Sequence, residues 1–325
     1  MWEKYPEIHD ELKKVEVIIK ENIKSRNKLL TEVCRELVLA GGKRLRPAFV
    51  IISSKFGEYN GEKATTLAGA LEILHTATLV HDDVIDRSKL RRGKETVSER
   101  YGIDMAIYTG DFLFTKALML LTSYKGIDLK GIEKPEIAAK AIKMICEGEV
   151  DQYQQRFDPG ITTFTYLKRI CRKTAVLFAA ACSMGAWSAG CPEDTVRILG
   201  KFGMYYGMAF QIRDDLIDFV SDSKKEGKPV IKDINEGVIT LPVIYAISKD
   251  YHIRDIIKRI SSDEISLSSR DMKDVLHIVN RSGGIEYSRK MLDKYIARGL
   301  KEIRKLPSNK YTDIFSELIQ SLRIN

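Results

Sequence analysis

Two aspartate pentads, Asp82-Asp83-Val84-Ile85-Asp86 and Asp214-Asp215-Leu216-Ile217-Asp218, stand at the ends of two strongly apolar stretches. On a helix, residues four apart share a face, so Asp82 stacks near Asp86 and Asp214 near Asp218. Like charges at that spacing destabilise a helix by about 0.2–0.5 kcal/mol per pair, and by more where apolar neighbours exclude water. A divalent cation reverses the sign. Mg²⁺ takes hard oxygen ligands and binds through one or two carboxylates plus substrate phosphates. Two such clusters therefore point to a metal-bridged phosphate clamp. A single pentad would read equally well as a solvated acidic face; recurrence in matched context is what argues for chemistry.

Basic side chains fall in two short runs, Lys43-Arg44-Leu45-Arg46 and Arg91-Arg92-Gly93-Lys94. Arginine forks match phosphate oxygens pairwise, and lysine adds a point charge. Neither run has the interleaved aromatics of a single-strand nucleic-acid platform. The net charge of +8 is therefore read as serving small phosphorylated substrates, and no nucleic-acid partner is expected. Taken alone, Lys43 and Arg46 read more readily as a solvated basic turn, and His75 as a satisfied helix histidine. Their order ahead of the first pentad, with His75 two turns before Asp82 on one face, makes them candidate phosphate donors.

Helices must position these groups. Apolar residues recur at three- and four-residue spacing, as in Leu12, Val15, Val17, Ile18 and Ile23, and only eight prolines interrupt the chain. Break signals at Gly41-Gly42, Phe56 to Gly61, Arg92-Gly93, Gly126 to Pro135, Asp158-Pro159-Gly160 and Gly190 to Pro192 separate the first helical stretches. Others follow at Ser221 to Pro229, Ser261 to Ser269, Ser282-Gly283-Gly284 and Leu306-Pro307-Ser308. No linker parts regions of different composition. The expectation is a single all-α domain over residues 1–325, a bundle of about 10–13 helices around a central cavity. The polar stretch Ser221 to Pro229, directly after the second pentad, reads as a lid carrying Lys228, with an ordinary solvated loop as the alternative.

With 44% hydrophobic and 30% charged residues, the composition is that of a soluble globular protein. The cysteines Cys34, Cys146, Cys171, Cys182 and Cys191 show no CxxC spacing and read as reduced. The start, Met1-Trp2-Glu3-Lys4, lacks a signal- or transit-peptide pattern. The longest apolar run, Thr174 to Trp187, falls short of the roughly 20 residues that span a bilayer. A cytoplasmic protein is expected, one that visits the membrane surface at most.

Five motifs occur together and in order. They are Gly41-Gly-Lys-Arg-Leu-Arg-Pro47; His75 to Asp86 with Arg91-Arg92-Gly93; Gly110-Asp111; Gln211 to Asp218; and Gly227-Lys228-Pro229. This constellation resembles the trans-polyprenyl diphosphate synthases from about residue 30 onward. Tyr108 to Asp111, Arg172 to Ala175 and Glu236 to Pro242 look most like the heptaprenyl-type catalytic subunits, component 2. The resemblance implies the isoprenoid synthase fold and head-to-tail addition of isopentenyl diphosphate to an allylic diphosphate such as farnesyl diphosphate. The allylic diphosphate ionises, the isopentenyl double bond attacks the cation, and a proton is lost. Three Mg²⁺ ions are implied, offsetting charge on the leaving group.

Carried over by resemblance, Asp82, Asp86 and Asp214 fall at metal positions, with Asp218 in support. Asp83 and Asp215, about 100° round their helices, are better suited to act through water or arginine. Lys43, Arg46, His75 and Arg92 align with the isopentenyl diphosphate site; Arg91, Lys173, Thr174, Gln211 and Lys228 align with the allylic diphosphate. Many relatives have a lysine at the position of Val238, which this chain lacks.

The resemblance places the growing hydrocarbon along the helix before the first pentad, past Thr78 and Ala77 and then Leu74 and Leu71. These are small or aliphatic rather than aromatic, which leaves a tunnel open; at about 5.4 Å per helical turn the product is expected at about C30–C40, with about C35 preferred. Phe112, Phe114, Leu118 and Met119 are candidates for a far wall, or equally for core packing. A homodimer and a heterodimer with a small regulatory subunit both remain open, and a quinone side chain is the expected end use. Other readings are an HD-type phosphohydrolase built on His81-Asp82, which leaves the second pentad unused, a cyclising terpene synthase, and an inactive regulatory subunit.

Overall fold

The computed structural model describes residues 1–122, 136–220, 232–263 and 268–324. Lys228 and the rest of the expected lid lie outside the described residues. The chain's contacts divide into two compact units, Met1–Pro135 with Ala181–Leu199, and Glu136–Ala180 with Gly200–Asn325. Among the described residues the architecture is helical throughout, as the apolar spacing predicts, with strand confined to one two-residue pair.

The first unit begins with a 3-10 turn, Trp2–Lys4, followed by α1 (Pro6–Asn22), α2 (Lys28–Leu39), α3 (Leu45–Ser54) and α4 (Gly61–Ile85). Proline in the first turn of α1 fits there because that N–H has no intrahelical partner. Asn27 and Asn60 cap α2 and α4, each accepting from a backbone N–H three residues on. Helix α4 is the centre of this unit. Its Leu67, Ala70, Leu71, Ile73, Leu74 and Ala77 are buried, and α1, α3 and α6 pack around it.

After α4 come β1 (Leu90–Arg91), β2 (Lys94–Glu95), α5 (Val97–Tyr101) and α6 (Ile103–Thr122). The two strands pair antiparallel, Leu90 with Glu95 and Arg91 with Lys94. Their two-residue loop has positive φ at both Arg92 (54°) and Gly93 (76°), the mirror-image turn whose twist suits a hairpin. The sequence marks a break here, but a non-glycine residue at the first loop position hides the hairpin.

The second unit holds α7 (Glu136–Gln154), α8 (Thr163–Ile170), a π-helical turn (Cys171–Ala175) and the start of α9 (Val176–Ser188). The long helix α10 (Glu193–Val220), in this unit from Gly200 onward, follows, with α11 (Lys232–Asn235), α12 (Leu241–Ile247), α13 (His252–Asp263), α14 (Ser269–Ser282), α15 (Gly284–Ile303) and α16 (Lys310–Gln320). Its core is aromatic. Phe178 and Tyr206 lie 5.1 Å apart between ring centres, and Phe202 and Phe315 4.6 Å, tilted as ring quadrupoles prefer. No helix among the described residues is long and apolar enough to cross a membrane.

Candidate active site

In the first unit, the pentad occupies the last turn of α4, where Asp86 is the C-cap and its N–H donates to the Asp82 carbonyl at 2.8 Å. Its members divide by burial. Asp83 is buried, and Arg91 grips it: Nε donates to Oδ1 at 2.7 Å and Oδ2 at 2.9 Å, with a second guanidinium nitrogen 2.7 Å from Oδ1. Asp82 and Asp86 are half-buried. The 100° offset thus separates two accessible carboxylates from one committed to arginine.

The loop before α3 carries the first basic run. Gly41 (φ 76°), Gly42 (φ 154°) and Arg44 (φ 49°) take conformations rarely open to side chains. A Cβ on Gly42 would sit 2.9 Å from both terminal nitrogens of Arg92, so glycine lets that guanidinium lie against the loop backbone. Arg44 turns inward, donating to Glu72 Oε1 at 2.7 Å and to the Val38 carbonyl at 2.9 Å. Lys43 is exposed. Arg46 Nη1 lies 2.9 Å from His75 Nε2. Since arginine can only donate, Nε2 accepts and the imidazole proton sits on Nδ1. Burial, then the guanidiniums of Arg46, Arg92, Arg91 and Arg44, holds His75 well below its usual range, so it is neutral near pH 7.

A cavity of about 400 Å³ adjoins these groups. Arg44, Glu72, His75, Asp83, Arg91 and Arg92 line it, together with Val33 and Leu37 of α2, Leu79 and Val80 of α4, and Val97 and Tyr101 of α5. Ala77, Leu74 and Leu71 are closed into the packing of α4, while Thr78 is half-buried and donates to the His75 carbonyl at 2.8 Å. Leu118 and Met119 are exposed. His81 packs over Gly110, where a Cβ would collide with its ring, and its Nε2 lies 3.4 Å from Asp111. That contact accounts for the Gly110-Asp111 motif and turns the histidine of the HD doublet toward α6.

In the second unit, the pentad near the end of α10 repeats the division. Asp214 is exposed and Asp218 half-buried, whereas Asp215 is buried. The Tyr166 hydroxyl donates to Asp215 Oδ2 at 2.6 Å and Gln211 Nε2 to Oδ1 at 2.8 Å, while Thr174 Oγ1 donates to Gln211 Oε1 at 2.7 Å. Thr174 and Gln211 therefore meet, as links in a chain ending on the pentad's buried member. Lys173 donates to Glu149 Oε2 at 2.9 Å and Arg172 to Asp151 Oδ2 at 2.8 Å. Both cations sit on the π-helical turn, a distortion common at functional sites. Gly148 of α7 permits it, for a Cβ there would lie 2.9 Å from Arg172 Cβ and 3.0 Å from the Lys173 nitrogen.

Arg169, buried in the same unit, donates from Nη2 to the Ile239 carbonyl at 2.8 Å, and among the described residues its Nε and Nη1 have no hydrogen-bond partner. Burial lifts the Asp215 carboxyl to about 6 against the hydrogen bonds from Tyr166 and Gln211. Asp233 is pushed well above the carboxylate range, first by burial and then by Asp215, Asp218, Glu236 and Asp214. This concentration of negative charge is what a divalent cation would relieve. Taken separately, each pentad offers two accessible carboxylates, the hard oxygen donors that suit Mg²⁺. Among the described residues no three acidic, histidine or cysteine side chains gather into a cage.

Sequence reasoning passed over several of these groups. Glu72 was discoverable as a lone acid within the apolar run of α4, which requires a buried partner. Tyr166, Arg169 and Gly148 carry no such signal.

The polyprenyl synthetase family model matches residues 27–279. The chain belongs to that family. It is 37% identical over 314 residues to heptaprenyl diphosphate synthase component 2 of Geobacillus stearothermophilus, covering 97% of this chain and 95% of that protein. The crystal structure of heptaprenyl diphosphate synthase from Staphylococcus aureus superposes with a TM-score of 0.89 at 37% identity, over 97% of each chain. Polyprenyl synthase from Caulobacter crescentus CB15, solved with calcium and isoprenyl diphosphate, gives 0.88 at 30% identity, over 97% of this chain and 94% of that one. The protein is a prenyltransferase of the long-chain trans-polyprenyl diphosphate synthase family.

Proposed function

We propose that this enzyme extends an allylic diphosphate, farnesyl or similar, with isopentenyl diphosphate to a product of about C30–C40, with heptaprenyl, about C35, the best single value. The observation that carries the reading is the matched construction of the pentads. In each, the second aspartate is buried on fixed donors, while Asp82 and Asp86, or Asp214 and Asp218, stay accessible. Those four are the proposed metal ligands, acting on one allylic diphosphate, with residues 1–325 working as a single catalytic domain. Mg²⁺, three ions per site, supplies electrostatic stabilisation of the departing diphosphate.

The chain's own groups have distinct tasks. Lys43, Arg46, His75 and Arg92 hold isopentenyl diphosphate, and neutral His75 donates through the nitrogen that Arg46 does not occupy. Arg91, Lys173, Thr174, Gln211 and Lys228 serve the allylic diphosphate, Lys173 exchanging its Glu149 contact for phosphate oxygen. The names of the heptaprenyl relatives support the length and, through the word component, a small partner subunit; a homodimer is the alternative. The enzyme is placed in the cytoplasm, touching membrane for product release toward quinone side chains.

The test is incubation of the purified chain with farnesyl diphosphate, labelled isopentenyl diphosphate and Mg²⁺, with and without EDTA, followed by product sizing. Metal-dependent incorporation into a product near C35 is expected; failure to incorporate label, even with a small subunit added, would sink the reading.

A further inference from the structure

We infer that the N-terminal turn belongs to the isopentenyl diphosphate site, with the Trp2 indole as a positioning residue that fixes the Lys43 loop through the Lys43 carbonyl. The assignment rests on the reading of Lys43 as a phosphate-binding residue. The loop is a costly one. Gly41, Gly42 and Arg44 all have positive φ, and a non-glycine residue in that region persists only where its surroundings over-determine it. Contacts from three side chains do so. Arg44 is tied to Glu72 and the Val38 carbonyl on one side, the Arg92 guanidinium lies against Gly42, and Trp2 Nε1 donates to the Lys43 carbonyl at 2.6 Å.

The Trp2 contact differs from the others in kind. It joins the 3-10 turn to the backbone of the one loop residue whose side chain is exposed for a ligand. Indole has a single donor, and in Trp2, which is 7% exposed, that donor goes to Lys43 rather than to its own turn. Tyr5, whose ring centre lies 6.3 Å from that of Trp2 and whose N–H donates to the Trp2 carbonyl at 2.8 Å, holds the indole in turn. A flexible lysine on a clamped backbone loses less freedom when it captures a diphosphate, and the benefit falls on one co-substrate only.

The experiment compares Trp2→Phe, which keeps an aromatic ring but removes the N–H, with Lys43→Met and the double variant in the full-length chain. The KM for isopentenyl diphosphate is measured at saturating farnesyl diphosphate, and the reverse. Trp2→Phe should raise the isopentenyl diphosphate KM roughly three- to tenfold, as loss of one hydrogen bond does, with kcat and farnesyl diphosphate KM nearly unchanged and only a small fall in melting temperature. Lys43→Met should raise the same KM further, and the double variant should fall short of the product of the two effects, as coupled sites do. If Lys43→Met shifts that KM and Trp2→Phe does not, or shifts both co-substrates together with the melting temperature, Trp2 is merely structural and the inference is overturned. If Lys43→Met itself has no effect, the phosphate-binding reading of Lys43 fails first and takes the inference with it.

Discussion

Arg91 and Asp83 form a forked ion pair, Nε to both carboxylate oxygens and a second nitrogen to Oδ1 at 2.7 Å. The pair bolts the hairpin to the last turn of α4, so one contact sets the places of Arg91 and Arg92 relative to Asp82 and Asp86. Asp83 is buried and Arg91 about a third exposed, so screening discounts the stability contribution to about 1–2 kcal/mol. The functional effect should be larger. Asp83→Ala is expected to lower kcat more than tenfold and to raise the Mg²⁺ concentration needed for half-maximal rate, because hairpin and carboxylates lose their register. Asp83→Asn, which keeps one acceptor, should fall between. Rates across a Mg²⁺ titration measure both, and an unchanged half-maximal Mg²⁺ in Asp83→Ala would show that the pair is ornamental to the metal site.

The approach of Gly148 to the π-helical turn is just as specific. Alanine would meet Arg172 Cβ at 2.9 Å and the Lys173 backbone nitrogen at 3.0 Å, and the latter cannot swing away. Gly148→Ala should cost about 1–3 kcal/mol by overpacking. It should also raise the allylic diphosphate KM several-fold while leaving that for isopentenyl diphosphate alone, since Lys173 and Thr174 ride on the displaced turn. Equal changes in both constants would remove the π turn from the allylic site.

What could be read from the sequence follows from the range of the forces involved. Helix type is local, so the spacing of Leu12, Val15 and Ile23 announced it; the 100° step between neighbours likewise separates Asp83 from Asp82 and Asp215 from Asp214 without a structure. Partner choice is tertiary. Asp83 and Asp215 are buried by the same geometry, yet one is held by Arg91 and the other by Tyr166 and Gln211, a difference no spacing rule contains. Arg44, between Lys43 and Arg46 in one basic run, illustrates the limit: the run does not show that its left-handed backbone goes with a side chain committed to Glu72.

Because burial and four arginines hold His75 neutral well below its ordinary 6.5, the protein should lose stability on acidification. The unfolded chain takes up a proton on this imidazole as pH falls through 6.5, and the folded chain does not until lower pH, so unfolding is favoured there. The contribution is whole above pH 6.5 and declines below it by up to about 1.4 kcal/mol per pH unit until the folded value is reached. Urea unfolding between pH 5 and 7.5 should show this slope, and His75→Gln should flatten it. Parallel pH profiles for the two proteins would mean that His75 protonates in the folded state as readily as in the unfolded.

Product length offers two substitutions with different costs. Ala77 is fully buried and Thr78 half-buried, one position apart on α4. The two positions point about 100° apart, so a tyrosine at each probes the expected path of the chain from a different side of α4, and at Ala77 it must also displace packed neighbours, at about 1–3 kcal/mol. Thr78→Tyr should therefore shorten the product with its melting temperature nearly intact, and Ala77→Tyr should shorten it with a lower one. Each blocked turn is worth about one isoprene unit, so mass spectrometry of the hydrolysed products should show loss of the longest members by several units rather than one. Two active variants with the parental length distribution would place the tunnel elsewhere than along either of these sides of α4. The exposed Leu118 and Met119 of α6 would then be the next positions to test, since a partner chain covering them would supply the wall.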